Sequence, residues 1–159
     1  MLKRSILLWF VLLWVCGSKL LGGEDRGRPT CDYCRMIITE KEYGGRIKMV
    51  KGKTWIFDAT ECMAAFVIKA MVKPVEIQSL WSMHFSQPGR MLNAKTACYL
   101  QSNSMLSPMS INLSAHRSRA EAERTRQKHP GELLDWPQVL DYVKKKWFPE
   151  MLAGPRLRR

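Results

Sequence analysis

The 159-residue chain shows no catalytic acid–base constellation and no recognisable nucleic-acid-binding motif. The first absence leaves no reaction to assign, so the chain reads as a binding protein, not an enzyme. The second argues against the usual partner of a basic protein. Acidic residues are scarce: 14 Asp and Glu stand against 26 Lys and Arg, a formal net charge of +12. The excess lies largely toward the C-terminus, in "HRSRAEAERTRQK", "VKKKW" and "RLRR". Glu121 and Glu123 are spaced among those arginines as on a solvated helix face, followed by a loose tail. A long hydrophobic run is also missing. The apolar stretch "SILLWFVLLWV", Ser5 to Val15, is too short to span a bilayer as an ordinary helix. An apolar content of 46% is still enough for a packed core.

What is present begins with a targeting segment. Lys3 and Arg4 precede the apolar stretch, and Cys16 follows it at once, then Gly17 and Ser18. This order resembles a bacterial lipoprotein signal, in which the cysteine becomes the acylated N-terminus, although Val15 stands where a small residue is usual. Residues 1–16 are therefore excluded from the fold, and Cys16 is the expected lipidation site. A plain export signal or a retained anchor would also carry the body across the inner membrane. Residues 17–29, "GSKLLGGEDRGRP", read as a flexible tether.

The folded part starts near Thr30 and reads as α+β. "RMIITE", "RIKMV" and "TWIF" are strand candidates rich in β-branched residues. Asp58 and Glu61 form a D-x-x-E capping box for a helix over "ECMAAFVIKAMVK" that stops before Pro74. "VEIQSLWSMHF", "KTACYL" and "INLSA" then suggest strands, and "HRSRAEAERTRQK" a helix ending at Gly131. Asp135 caps a last helix with Pro137 in its first turn, running to about Phe148. The expected architecture is two tandem ββα-type units, residues 30–74 and 75–148, the second with an added C-terminal helix. Residues 149–159 form a basic tail.

Sulfur is the unusual element. There are ten methionines and five cysteines, and several of the two types stand side by side. Cys31, Cys34 and Met36 lie in "CDYCRM"; Cys62 and Met63 lie in the first turn of the first helix, where the helix N-terminus favours a thiolate. Met105 and Met109 lie in the loop before the second helix, with Pro108 stiffening the approach. Mixed thiolates and thioethers suit Cu(I), whereas zinc prefers thiolate and imidazole. Two other readings stay open. One is a structural zinc site from Cys31, Cys34 and Cys62 with Cys98 or His84. The other is a thiol–disulfide oxidoreductase using Cys31 and Cys34, against which stands the lack of a thioredoxin-like βαβ pattern. Cys98, Met49, Met71, Met83 and Met91 are expected in the core. His84 is expected to be hydrogen-bonded, His116 and His129 to sit among surface charges, and Asp58 to serve as a cap.

"CDYCRM", "FDATECM" and "SPM" in this order, with "GELLDW" after them, resemble the NosL family of nitrous-oxide reductase accessory proteins. The likeness covers roughly residues 30–142. It implies a membrane-anchored Cu(I) chaperone of the periplasm, supplying copper for the copper–sulfur centre of nitrous-oxide reductase. It also implies a fold akin to organomercurial lyase. Carried over by position, Cys34, Met36 and Met109 are the leading ligands, with Cys31, Cys62 and Met63 after them. The chain departs from the pattern at Arg35 and Ser110, where glycine is common, and at His84, near which an acidic residue is frequent. A general copper carrier without a reductase client is the alternative within this reading.

Overall fold

The computed structural model describes residues 27–152. The expectations for the signal at 1–16, for lipidation at Cys16, for most of the tether and for the tail past residue 152 lie outside the described residues. Within them the fold is α+β, with two antiparallel sheets and three α-helices.

β1 (Gly45–Met49) alternates strictly: Ile47 and Met49 enter the core while Arg46 and Lys48 face out. It turns through Gly52, at φ +87°, into β2 (Thr54–Phe57), which pairs antiparallel with it. The other edge of β1 pairs with β3 (Ile77–Met83), and β4 (Met91–Asn93) closes the sheet in the order β2-β1-β3-β4. β3 and β4 lie beyond residue 74 yet complete the sheet of β1 and β2. The expected division between residues 74 and 75 therefore falls inside one sheet's pairing. The second sheet has the order β6-β5-β7, from β5 (Cys98–Gln101), β6 (Leu113–His116) and β7 (Glu132–Leu134).

Helix α1 (Thr60–Ile68) packs against β1, β2 and β6 and against α3 (Trp136–Trp147). Every residue from Thr60 to Phe66 is buried. A helix apolar on nearly all sides has no solvent face, which is why it sits between the sheets. It ends earlier than the expected Lys73. Ala70 adopts φ +49°, its amide bonds to Val67 O and that of Met71 to Phe66 O, so the last carbonyls are closed off by a left-handed turn. Met71, expected in the core, is exposed as a result.

α2 (Arg119–Lys128) starts after Ser118, whose side chain accepts from Glu121 N. α3 starts as expected, with Asp135 and Gln138 forming a reciprocal capping box and Pro137 in the first turn. β7 has no counterpart among the strand candidates. It forms because Gly131 lets the chain press onto β5: a Cβ there would lie 1.9 Å from Gln101 O. The expected strand "RMIITE" is absent; only Thr30 and Ile37 bridge. Arg35 at φ +66° bends that segment into a turn instead.

Candidate metal centre

The turn at residues 31–36 is built by its own backbone. Arg35 N donates to Cys31 O at 3.0 Å, and Cys31 N donates to Met36 O at 2.8 Å. Arg35 takes the left-handed conformation this closure needs, which a residue other than glycine seldom adopts. Asp32 fastens the turn to the edge of β2: its amide donates to Ile56 O at 2.8 Å and its carboxylate accepts from Ile56 N at 2.7 Å. Cys31 and Cys34 are thereby set beside the end of β2, where the chain enters α1.

That entry supplies the rest. Asp58 follows β2, Ala59 is the extended N-cap residue, and Cys62 is the third residue of α1. One ligand atom from each of Cys31, Cys34, Asp58 and Cys62 lies within 4.8 Å of all the others. Cys31, Asp58 and Cys62 are buried and Cys34 is half-buried, so the cluster opens to solvent at Cys34. All four described cysteines are free thiols.

Asp58 is not a cap. The first turn of α1 has no side-chain cap, and Asp58 instead accepts from Cys34 Sγ through Oδ2 at 3.3 Å. Its Oδ1 is buried with no hydrogen-bond partner, facing a cost that a cation would remove. Glu61 does not complete a capping box either. It is fully buried and accepts from Ser107 Oγ, across a separation of 46 residues in sequence. Burial raises its carboxyl to about 7 against the partly offsetting Ser107 bond.

The thiols divide the charge unequally. A hydrogen bond from Cys62 holds Cys31 down at about 6 in spite of burial, with help from the amides of Asp58, Cys34 and Tyr33. The same bond raises Cys62, and burial, the Cys31 charge and Asp58 raise it further. Of this pair Cys31, rather than the expected Cys62 at the helix N-terminus, is the readier thiolate, because their mutual interaction lowers Cys31 and raises Cys62. Burial pushes Cys34 to about 11, and its contacts with Cys31 and Asp58 add to this. A soft cation entering here meets one ready thiolate and displaces protons from the others.

The remaining nominated residues are placed as follows. Met36 is 53% exposed, two residues beyond Cys34. Met63 is fully buried, with its Sδ packed over Gly45 of β1. Met109 is half-buried against the core, and Met105 is buried. Met49 is buried, whereas Met83 and Met91 are half-buried cross-strand partners. Cys98 is half-buried on β5, outside the cluster. His84 bonds Glu121 Oε1 through Nε2 at 2.7 Å. His116 is not a surface residue. It is fully buried on β6, with Nε2 3.0 Å from Ser114 Oγ, and burial holds it at about 4. His129 is partly buried, with Nδ1 3.1 Å from Ser104 Oγ.

Sequence reasoning passes over Asp58 and Glu61 as site residues. A signal is there to be read: both acids sit in "FDATECMAAF", a stretch whose other residues, Thr60 apart, are apolar and leave no solvent face to put them on.

A family model described as NosL matches residues 26–143. Among solved structures, the fold is similar to the crystal structure of the copper chaperone NosL from Shewanella denitrificans. The TM-score is 0.61 at 18% identity, over 69% of this chain and 88% of that one. No match was found among curated proteins.

Proposed function

The chain belongs to the NosL family, and from that premise we propose that it is a Cu(I)-binding carrier. The observation that carries the reading is the convergence of three cysteine sulfurs and a carboxylate in one cluster, with only Cys34 part-exposed. Three sulfurs suit a soft monovalent ion. The unequal protonation of the thiols suits delivery. Cys31 offers a standing thiolate, while Cys34, at the open side, binds as its proton leaves for solvent. Return of that proton favours release to an acceptor's thiolates or imidazoles. Met36, exposed beyond Cys34, and Met109 are the thioethers assigned to the outer part of the site, with Cys31, Cys62 and Met63 on its inner side. The Shewanella NosL, similar in fold, is a copper chaperone, which supports the same reading.

One observation favours a second metal. Asp58 brings an oxygen donor into the cluster, and a Cys3Asp set is a tetrahedral zinc environment. Anaerobic titration of the reduced protein with Cu(I), and separately with Zn(II), separates the two. One Cu(I) per chain, with an X-ray absorption sulfur shell that shrinks in Met36→Ala and in Met109→Ala, supports the carrier. Tight zinc binding indifferent to both substitutions supports a structural site and overturns the carrier.

The cellular assignment is part of the proposal. The cysteine after the apolar stretch, Cys16, is the acylated residue, tethering the body on the periplasmic side of the inner membrane. The acceptor of the copper is nitrous-oxide reductase or its assembly machinery.

A further inference from the structure

Glu61 lies next to Cys62 in α1 but outside the ligand cluster, and it is fully buried. A carboxylate so placed needs a partner on another element. Its partner is Ser107, whose Oγ donates to Glu61 Oε1. Ser107 also organises the loop it begins. Its amide donates to Asn112 Oδ1 at 3.0 Å, Asn112 N donates back to Ser107 Oγ at 2.8 Å, and Ser110 N donates to Ser107 O at 3.1 Å. Ser110 and Asn112 turn the chain back on itself at φ +63° and +65°. Residues 107–112 thus form a closed ring of hydrogen bonds, fastened to α1 through the Ser107 side chain, with Met109 in its middle.

We propose that Glu61 is a positioning residue: by accepting from Ser107 it holds the 107–112 loop, and with it Met109, against the turn of α1 that carries Cys62. The proposal rests on the reading of Met109 as a copper ligand given above. Glu61 is not among the four clustered ligand residues. It acts through the loop, as outer partners of metal sites commonly do.

The test uses Glu61→Ala, which removes the acceptor, Glu61→Gln, which keeps one, and Ser107→Ala, which removes the donor. In the metal-free reduced protein, Glu61→Ala and Ser107→Ala should speed amide hydrogen exchange across 107–112 while α1 stays protected, and Glu61→Gln should match the wild type. With Cu(I), both alanine variants should bind about tenfold or more weakly and lose the same sulfur scattering that Met109→Ala loses. Glu61→Ala combined with Met109→Ala should bind no more weakly than Met109→Ala alone. Wild-type exchange of the loop in both alanine variants, or copper losses that multiply in the double variant, overturns the proposal. If Met109→Ala binds Cu(I) like the wild type, the copper reading of Met109 falls, and the exchange result alone decides whether Glu61 holds the loop.

Discussion

Three thiols and a carboxylate crowded into one largely buried cluster cannot all ionise, and the molecule settles the conflict by hydrogen bonding. The interaction between the two side chains lowers the Cys31 thiol and raises that of Cys62, so Cys31 is the one that ionises first. This makes Cys62 both a candidate ligand and the group that prepares Cys31. In Cys62→Ala the donor is gone and burial acts on Cys31 unopposed by it. The Cys31 pKa should then rise from about 6 toward or above its ordinary value of 9.0. Thiolate absorbance against pH, in the reduced metal-free protein, reads this directly. A thiolate step that stays near its wild-type position would show that the charge is held by backbone amides rather than by Cys62. Two other positions show how residue chemistry yields to backbone demand. Arg35 and Ser110, neither of them glycine, both take φ above +60°. The turns demand this conformation and the residues bear the strain, which for a single left-handed non-glycine residue is about 1–2 kcal/mol.

At the level of elements, the legible parts of the sequence are those governed by local chemistry. Asp135, Pro137 and the "VKKKW" end define α3 closely, because capping is a matter of neighbours. "RIKM" becomes a strand for its alternation, and "TWIF" for its β-branched and aromatic residues. What stays hidden depends on distant residues. β7 requires Gly131 to meet Gln101, and the burial of Asp58 and Glu61 depends on where β6 and the 107–112 loop fall. Cys31, Cys34 and Cys62 can be nominated from spacing, but their convergence depends on Asp32 docking the turn on β2. The join between β3 and the second sheet is equally hidden. There His84 bridges to Ala115 and bonds Glu121 at the start of α2, with Ser86 on the same carboxylate. This junction should be acid-sensitive in two steps. His116, kept neutral by burial, has its pKa lowered from 6.5 to about 4, so the unfolded chain binds the extra proton between these values. Glu121 is lowered from 4.5 to about 2: burial works against ionisation, but the bonds from Ser86, His84 and Arg117 N outweigh it. Both shifts make the unfolded state the better proton binder, so stability falls as pH drops, first through 6.5 to 4 and then through 4.5 to 2. Denaturation midpoints measured across pH should lose the upper step in His116→Gln and the lower one in Glu121→Gln. An unchanged profile in both variants would place the acid sensitivity elsewhere.

For the molecule as a whole, the question is whether two sheets mean two folding units. The sequence suggests a seam near residue 75, but the contacts run across it. β1 has one partner from each side of that seam, β2 and β3. α1, from the first half, packs on β6 and α3, from the second. One buried cluster runs from Ile47 and Phe57 through Phe66 to Leu113, Val139 and Val143, with no break between the sheets. Removing Phe66, whose ring packs at a steep angle on both Trp55 and Phe57 from within α1, should therefore weaken both sheets together. Phe66→Ala is expected to cost about 3–5 kcal/mol. In urea, the described tryptophans report on different regions: Trp55 and Trp81 on the first sheet, Trp136 and Trp147 on α3. Their fluorescence and the far-ultraviolet circular dichroism should fall in one coincident transition in the wild type, and in one transition shifted to lower urea in Phe66→Ala. Two separated transitions, with only the first moved by Phe66→Ala, would restore the two-unit picture. A single transition also bears on copper. Because the ligand cluster ties residues 31–34 to the start of α1, a bound ion would raise the midpoint of the entire molecule rather than of one half. Cu(I) should then shift both probes by the same amount, and Cys34→Ala should abolish most of that shift.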